Sequence, residues 1–340
     1  MIDERFQHQM HTWMDEVQRT APLVHSITNY VTVNDCANAL LAIGARPVMS
    51  HDPREAAEIT RGSQALELNL GATEYIDAMF LSGQAAREKG IPRVIDPVGI
   101  SGSTFRRETL HRMITELQPT AIRGNYSEIH ALLANAGTGT GVDAVVDATH
   151  PALSGDALAR GMQDYLRTLD FPMILVASGR EDIVVSRDAL CFVKNGSPRM
   201  SRVTGTGCMA TEVLAAFLAV VSEEERTFQR RTASEASSPQ TEDPASGKEA
   251  GGVRTAGDEE PLLGGNCGPG EESSDACRPK LSCEAAFRAA VLATAFMGIA
   301  GEIAEESAPR GSGSYHIALI DALSTMTAEE IVGRIALEDA

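Results

Sequence analysis

Short apolar runs alternate with longer stretches of helical spacing through the first two hundred or so residues, and that alternation constrains the fold more than any other feature of the chain. Helical spacing over Asp3–Arg19 gives way to the apolar run Leu23-Val24-His25-Ser26-Ile27. The Ala- and Leu-rich stretch Val33–Ile43 follows, with Gly44 as its stop and a short strand at Pro47–Met49. The pattern continues with Arg54–Arg61 helical, Ala65–Leu70 extended, Tyr75–Lys89 helical, Arg93–Ile95 extended and Glu108–Glu116 helical. Further strands are expected at Thr120–Ile122, at Met173–Ala177 and in a hairpin of Asp182–Ser186 with Leu190–Lys194. Alternating β and α units predict an α/β fold of three layers, a mainly parallel central sheet flanked by helices, with ligands beyond the carboxyl ends of the strands.

At 340 residues the chain is read as a single domain, 1–340, with a hydrophobic content of 43%. Only one Trp, five Tyr and nine Phe are present, so aliphatic residues and Ala must build the core. A net charge of -18 argues against a general grip on nucleic acid or on an anionic membrane, although a local site can oppose the global field. Met1–Met14 is polar and lacks a signal-peptide apolar region, and no run of about 18 apolar residues is evident. A cytoplasmic protein without a membrane or nucleic-acid partner is expected. The six cysteines form no CxxC pair and no zinc-spaced cluster with histidine, so neither a disulfide scaffold nor a structural metal is indicated. Ser, Glu, Gly, Pro and Thr crowd Thr232–Lys280, which reads as a disordered acidic low-complexity insertion between the helices Met209–Val221 and Glu284–Glu305.

Three features carry chemistry. Thr204-Gly205-Thr206-Gly207-Cys208 leads directly into an apolar-periodic helix containing Met209, Val213, Leu214, Phe217 and Leu218. Small residues at a helix start let backbone N–H groups approach an anion, and the helix dipole adds partial positive charge there. Cys208 in that first turn would have its thiolate favoured, and so could take or orient a substrate hydroxyl proton. The second feature is Asp96-Pro97-Val98-Gly99, a carboxylate at a strand's carboxyl end. The third is Asn125 with Glu128 near a strand-to-helix junction just after Arg123. Taken singly, Asp96 is a turn former before proline, Glu128 a first-turn dipole partner and Arg123 a surface ion-pair residue. Together they compose a nucleotide site with hard oxygen ligands for Mg2+ and a guanidinium for phosphate. The Walker pattern and the protein-kinase signatures are absent, so a kinase here is of another class.

With these pieces in place the chain resembles the hydroxyethylthiazole kinases, thiamine-salvage enzymes of the ribokinase-like superfamily. The resemblance rests on Val24-His25-Ser26-Ile27-Thr28-Asn29, Gly44-Ala45-Arg46-Pro47-Val48-Met49, Asn69-Leu70-Gly71, Asp96-Pro97-Val98-Gly99 and Asn125-Tyr126-Ser127-Glu128. It extends to Gly141-Val142-Asp143, Thr204–Cys208 and Gly298-Ile299-Ala300-Gly301-Glu302. It implies transfer of the ATP γ-phosphoryl group to 4-methyl-5-(2-hydroxyethyl)thiazole with Mg2+ required. By the same resemblance Cys208 stands where ribokinase relatives carry a base aspartate, and Gly205, Thr206 and Gly207 form the anion hole. Arg123, Ser178, Asp96 and Asn125 are expected to serve ATP, with Asp96 and Glu128 serving the metal. Met49, Asn29, Val31 and Gly205 are expected at the thiazole, with Asn69 and Gly71 shaping its pocket. The family's habit of placing that pocket between subunits implies a homotrimer.

Three departures accompany the resemblance: the insertion Thr232–Lys280, Arg46, and the Ser101-Gly102-Ser103 loop. None falls on a position assigned to phosphoryl transfer. A pyrimidine-alcohol kinase or nicotinamide-hydrate dehydratase of the same superfamily and a catalytically silent thiamine-precursor sensor are the rival readings. The Met49 and Asn29 segments count against the first two, and the intact Thr204–Cys208, Asp96 and Glu128 against the sensor.

Overall fold

The computed structural model describes residues 4–135, 154–236, 281–307 and 309–339. Gly141–Asp143 lies outside them, as does most of the proposed insertion; its first residues, Thr232–Ala236, form the end of a long helix.

Among the described residues one sheet runs through the molecule. Its strands, in chain order, are β1 (Leu23–Ile27), β2 (Arg46–Val48), β3 (Ala65–Asn69), β4 (Arg93–Asp96), β5 (Ala121–Asn125), β6 (Ile174–Ser178), β7 (Asp182–Val185), β8 (Leu190–Val193) and β9 (Leu337–Asp339). They are arranged in the order β2-β1-β3-β4-β5-β6-β7-β8-β9. Every pairing from β2 to β6 is parallel, and β7, β8 and β9 add antiparallel. The parallel half and the β7–β8 hairpin match the sequence expectation. β9, a three-residue edge strand of mixed polarity, carries no periodic signal of its own and is defined by its pairing with β8.

Strand residues alternate between two cores. Val24, Ala65, Val94, Ala121, Ile174 and Val176 pack on one side with α1 (Glu4–Thr20), α2 (Val33–Ala42), α8 (Thr206–Ala236), α9 (Cys283–Glu306), α10 (Ser312–Thr325) and α11 (Ala328–Arg334). Ile27, Leu66, Leu68, Ile95, Ile122 and Leu175 face the other side, with α3 (Ala56–Gly62), α4 (Ile76–Lys89), α5 (Thr104–Leu117), α6 (Tyr126–Asn135) and α7 (Gly155–Thr168). The result is the expected three-layer fold. Its α5 and α8 exceed the sequence estimates because their first and last turns are polar and break the apolar period.

Helix α8 lies against β1, β3, β4 and β5 and buries Met209, Val213, Leu214, Phe217 and Leu218. Each such side chain contributes roughly 1.5–3 kcal/mol of burial. Both α8, over Thr206–Phe228, and α9 are long and apolar enough to cross a membrane by length and composition, contrary to the expectation that no such stretch exists. Their apolar surface is instead covered within the fold, 83% and 78% of the most apolar window being buried.

Candidate active site

Toward the carboxyl ends of the strands, the sheet face under α8 changes from apolar to polar. Val24 is followed on that face by Ser26, Ala65 by Glu67 and Asn69, Val94 by Asp96, and Ala121 by Arg123. All five polar side chains are buried. Directly above them begins α8, preceded by Gly205 at φ +86°, a left-handed conformation that glycine adopts without strain. A β-carbon at Gly205 would stand 3.0 Å from Thr32 Cγ2, so the turn is also pressed against the start of α2.

Cys208, in the first turn of α8, is held by two asparagines. Asn69 Nδ2 lies 3.3 Å from its Sγ and donates to Asp96 Oδ2 at 3.0 Å, while Asn29 Nδ2 lies 3.7 Å from the same sulfur. The amide oxygens are committed elsewhere: Asn29 Oδ1 accepts from Val31 N at 3.1 Å, and Asn69 Oδ1 accepts from Gly71 N at 2.8 Å. These bonds fix which end of each amide faces the sulfur. They also explain Gly71, where a β-carbon would fall 2.7 Å from Asn69 Oδ1.

On the far side of the helix start, Arg123 Nη1 donates to Gly207 O at 3.1 Å, while its Nε has no partner among the described residues although the residue is buried. Arg123 is therefore no surface ion-pair residue. An unsatisfied buried guanidinium N–H costs about 1–3 kcal/mol and is a standing donor for an anion. Burial pushes the Asp96 carboxyl up to about 7, the Glu128 charge adding to the effect and Arg123 opposing it.

One expectation needs correction and another gains a structural role. Burial, with the Asp96 charge behind it, pushes the Cys208 thiol up, which outweighs the helix dipole and leaves a neutral thiol where an activated thiolate was expected. The Asn125–Glu128 pair, read as a metal and nucleotide motif, is also a capping arrangement. Glu128 N donates to Asn125 Oδ1 at 2.9 Å, and Glu128 Oε2 accepts from Asn125 N at 2.9 Å. The other oxygen, Glu128 Oε1, accepts from Gly99 N at 2.9 Å, tying the Asp96–Gly99 turn to α6. Each oxygen retains a lone pair for a cation.

Ser178 closes β6 opposite Asn125 in register, and its Oγ donates to Gly124 O at 3.3 Å. Met49 is half-buried at the carboxyl end of the edge strand β2, and Val31 is 57% exposed on the loop into α2. Among the described residues no side-chain hydrogen bond joins either to Cys208, whereas Asn29, Asn69, Asp96, Arg123 and Gly205–Cys208 converge. The cluster also includes residues the sequence reading passed over. Thr32 stands against Gly205, and Thr211 Oγ1 donates to Gly207 O at 3.2 Å. Beneath them Ser26, Glu67 and Glu212 form a buried acidic group. Thr211 and Glu212 had a detectable signal, two polar residues inside an apolar-periodic helix. Glu67 had one as well, as a charge between Leu66 and Leu68.

A parallel sheet crossed by a helix whose glycine-rich start meets strand-end acids and a buried arginine defines a small-molecule kinase of the ribokinase-like class. Residues 14–250 match the model of the hydroxyethylthiazole kinase family, and the chain belongs to that family. It is 35% identical over 322 residues to a hydroxyethylthiazole kinase of Clostridium beijerinckii, covering 94% of this chain and 92% of the relative. Against that of Nitratidesulfovibrio vulgaris Hildenborough it is 44% identical over 209 residues, 61% of this chain and 75% of the relative. The solved hydroxyethylthiazole kinase structure from Pyrococcus horikoshii OT3 superposes with a TM-score of 0.70 at 25% identity, covering 98% of this chain and 99% of that one.

Proposed function

We propose that the chain transfers the γ-phosphoryl group of ATP to the hydroxyl of 4-methyl-5-(2-hydroxyethyl)thiazole. The observation that carries this reading is the convergence of Asp96, Asn69 and Cys208 on one side of the α8 start and Arg123 on the other. Family membership directs it to the thiazole alcohol. The Gly205–Cys208 backbone receives the transferred phosphoryl group, and Arg123 offers its unpaired Nε to phosphate oxygen. Asp96, the buried carboxylate nearest the thiol in the hydrogen-bond network, takes the hydroxyl proton, with Cys208 orienting the hydroxyl. Ser178 and Asn125, at the ends of β6 and β5, border the nucleotide.

Magnesium fits the residues present. Asp96 and Glu128 place like charges close enough to raise the Asp96 pKa, which a divalent cation relieves. Among the described residues no group of three or more His, Cys, Asp or Glu forms a metal cage. That suits an ion held by one or two carboxylates, water and phosphates. When bound, the metal neutralises charge on the nucleotide oxygens.

Of the thiazole-side residues, Met49 follows the edge strand β2, while Asn29 and Val31 lie on the loop after its neighbour β1. Exposed Tyr30, Val31, Leu41 and Ile317, on the loop before α2, on α2 and on the adjoining α10, supply an apolar surface for neighbouring copies in a homotrimer that completes the pocket. A cytoplasmic setting accords with the acidic composition.

ADP release from Mg-ATP, with and without hydroxyethylthiazole and with a hydroxymethylpyrimidine control, tests the assignment. Thiazole-dependent release with little for the pyrimidine is expected. Release stimulated by the pyrimidine alone would replace the substrate, and sedimentation of the same sample reads the trimer.

A further inference from the structure

Two strands and one helix place a second polar layer directly under the cluster that holds Cys208. Glu67 precedes Asn69 by two residues on β3, so both point to the same face. Glu212 follows Cys208 by four residues on α8 and lies on the same stripe of that helix. Ser26 of β1 is the register partner of Glu67. Its hydroxyl lies 2.9 Å from Glu67 Oε2 and in short contact with Glu212 Oε1. All three side chains are sealed from solvent, Glu67 and Glu212 at 0% and Ser26 at 1% exposure.

The hydrogens in this group can be counted. A serine hydroxyl carries one donor, yet it meets an oxygen of each carboxyl group. If it donates to one, the other can approach only by donating its own proton to the serine oxygen, so at least one carboxyl is protonated. The other oxygens of the pair, Glu67 Oε1 and Glu212 Oε2, have no hydrogen-bond partner among the described residues, so Ser26 is the group through which the two acids meet. The titratable groups around the pair supply no counter-charge: Cys36 from α2, Asp96 from β4 and Cys208 from α8 itself are acids, and Arg123 on β5 is set against Asp96. Burial accordingly pushes both carboxyls up, Glu212 to about 7.

We propose that Glu67 and Glu212 hold one proton between them and, with Ser26, act as positioning residues that pin the first two turns of α8 to β1 and β3. Apolar contacts elsewhere along α8 resist separation from the sheet but are non-directional and leave its rotation and slide weakly specified. A directional acid–serine–carboxylate clasp one helical turn below Cys208 fixes both. It thereby sets Gly205–Cys208 over Asn69 and Asp96. The kinetic part of this proposal rests on the phosphoryl-transfer reading above; the shared proton does not.

The test compares the full-length protein with Glu67→Gln, Glu212→Gln and Glu212→Ala. Either glutamine keeps a permanent donor in the clasp, reproducing the singly protonated pair, whereas alanine removes the clasp. At neutral pH the glutamine variants are expected to keep kcat within about threefold, and Glu212→Ala to lose on the order of 10- to 100-fold in kcat with KM for ATP changed far less. A decline in kcat above neutral pH in the parent protein should weaken in both glutamine variants. Infrared difference spectra supply a readout independent of activity: in an Asp96→Asn background, which removes that carboxyl's own band, the parent pair should retain a buried carboxylic-acid C=O band at pH 7 that each glutamine variant lacks. The absence of that band from the parent pair would overturn the shared proton. An Ala variant with parental kcat, or glutamine variants with the parental pH profile, would overturn the positioning role. A parent pair that shows the band, with a parent protein that phosphorylates no thiazole, would refute the substrate reading and leave the clasp to be read from the infrared result alone.

Discussion

Asn69 Nδ2 stands 3.3 Å from Cys208 Sγ, and the same amide donates to Asp96 Oδ2 at 3.0 Å. One side chain therefore spaces a neutral thiol from a carboxylate at the start of α8. Because burial holds the thiol protonated, the acid and not the sulfur is the group able to take a proton near neutral pH. Cys208→Ser keeps a small donor and acceptor beside Asn69 and is expected to lower kcat less than about tenfold. Asp96→Asn should lower it by about 10³-fold, within the range for loss of a general base. Steady-state ADP release gives both numbers. If the serine variant is as inactive as the asparagine variant, sulfur chemistry is essential and Asp96 is not the base.

Asp96 also ties stability to pH. Its folded pKa, about 7, is raised above the ordinary aspartate value of 3.8, chiefly by burial. A group raised in this way contributes stability that is fully present below the unfolded pKa and is lost as pH rises through the folded value. Without nucleotide and metal the protein should lose on the order of 4 kcal/mol between pH 4 and pH 8 from this group, as a shift of about three units implies. Denaturant melts across that range should show a flatter profile for Asp96→Asn. The Glu67–Glu212 pair acts with the same sign, so the residual slope in Asp96→Asn should fall further when Glu67→Gln is added. An Asp96→Asn profile as steep as the parent's would mean that the carboxyl is not protonated in the folded state.

Gly205 takes a φ of +86°, and an added β-carbon would stand 3.0 Å from Thr32 Cγ2. Gly205→Ala should therefore destabilise the fold by about 1–2 kcal/mol through backbone strain. Because the same turn aims the first N–H groups of α8, kcat should fall further than thermal stability alone accounts for. Thermal melting and kcat measured on one preparation separate the two effects. An alanine variant with unchanged kcat would show that the turn tolerates a shift without cost to the anion site.

The fold and the outline of this site were legible in the chain for different reasons. Parallel strands buried on both faces leave short runs rich in apolar residues, such as Leu23–Ile27 and Ala65–Leu70, and glycines with a conformational duty, such as Gly44 at φ +91°, mark where helices stop. Strand-end polar residues such as Asn69 and Asp96 follow from the rule that ligands sit beyond parallel strands. What the chain concealed depends on long-range register. Ser26, Glu67 and Glu212 are far apart in sequence, and although Glu67 and Glu212 each stand out as a charge among apolar neighbours, only the pairing of β1 with β3 under α8 puts the three together. The Cys208 thiol was misjudged for a related reason, since a helix start is visible in sequence and the negative neighbours around it are not. Helix α7 has strong amphipathic spacing over Gly155–Thr168, but it follows a stretch with no apolar period to frame it.

Glu128 separates structure from metal chemistry in a single substitution. Its Oε2 accepts from Asn125 N and its Oε1 from Gly99 N, so the side chain caps α6 and holds the turn after Asp96 whether or not a cation is near. Glutamine has the same shape and retains one carbonyl acceptor. Glu128→Gln should thus cost no more than about 1 kcal/mol of stability, the lost bond being offset in part by relief of the charge beside Asp96. Glu128→Ala removes both bonds and should cost about 2 kcal/mol. If the carboxylate serves Mg2+, the magnesium concentration giving half-maximal ADP release should rise at least tenfold in both variants, regardless of their difference in stability. If the magnesium requirement instead follows stability, unchanged in the glutamine variant and altered only in the alanine one, then Glu128 is a capping residue and Asp96 alone supplies the protein's ligand.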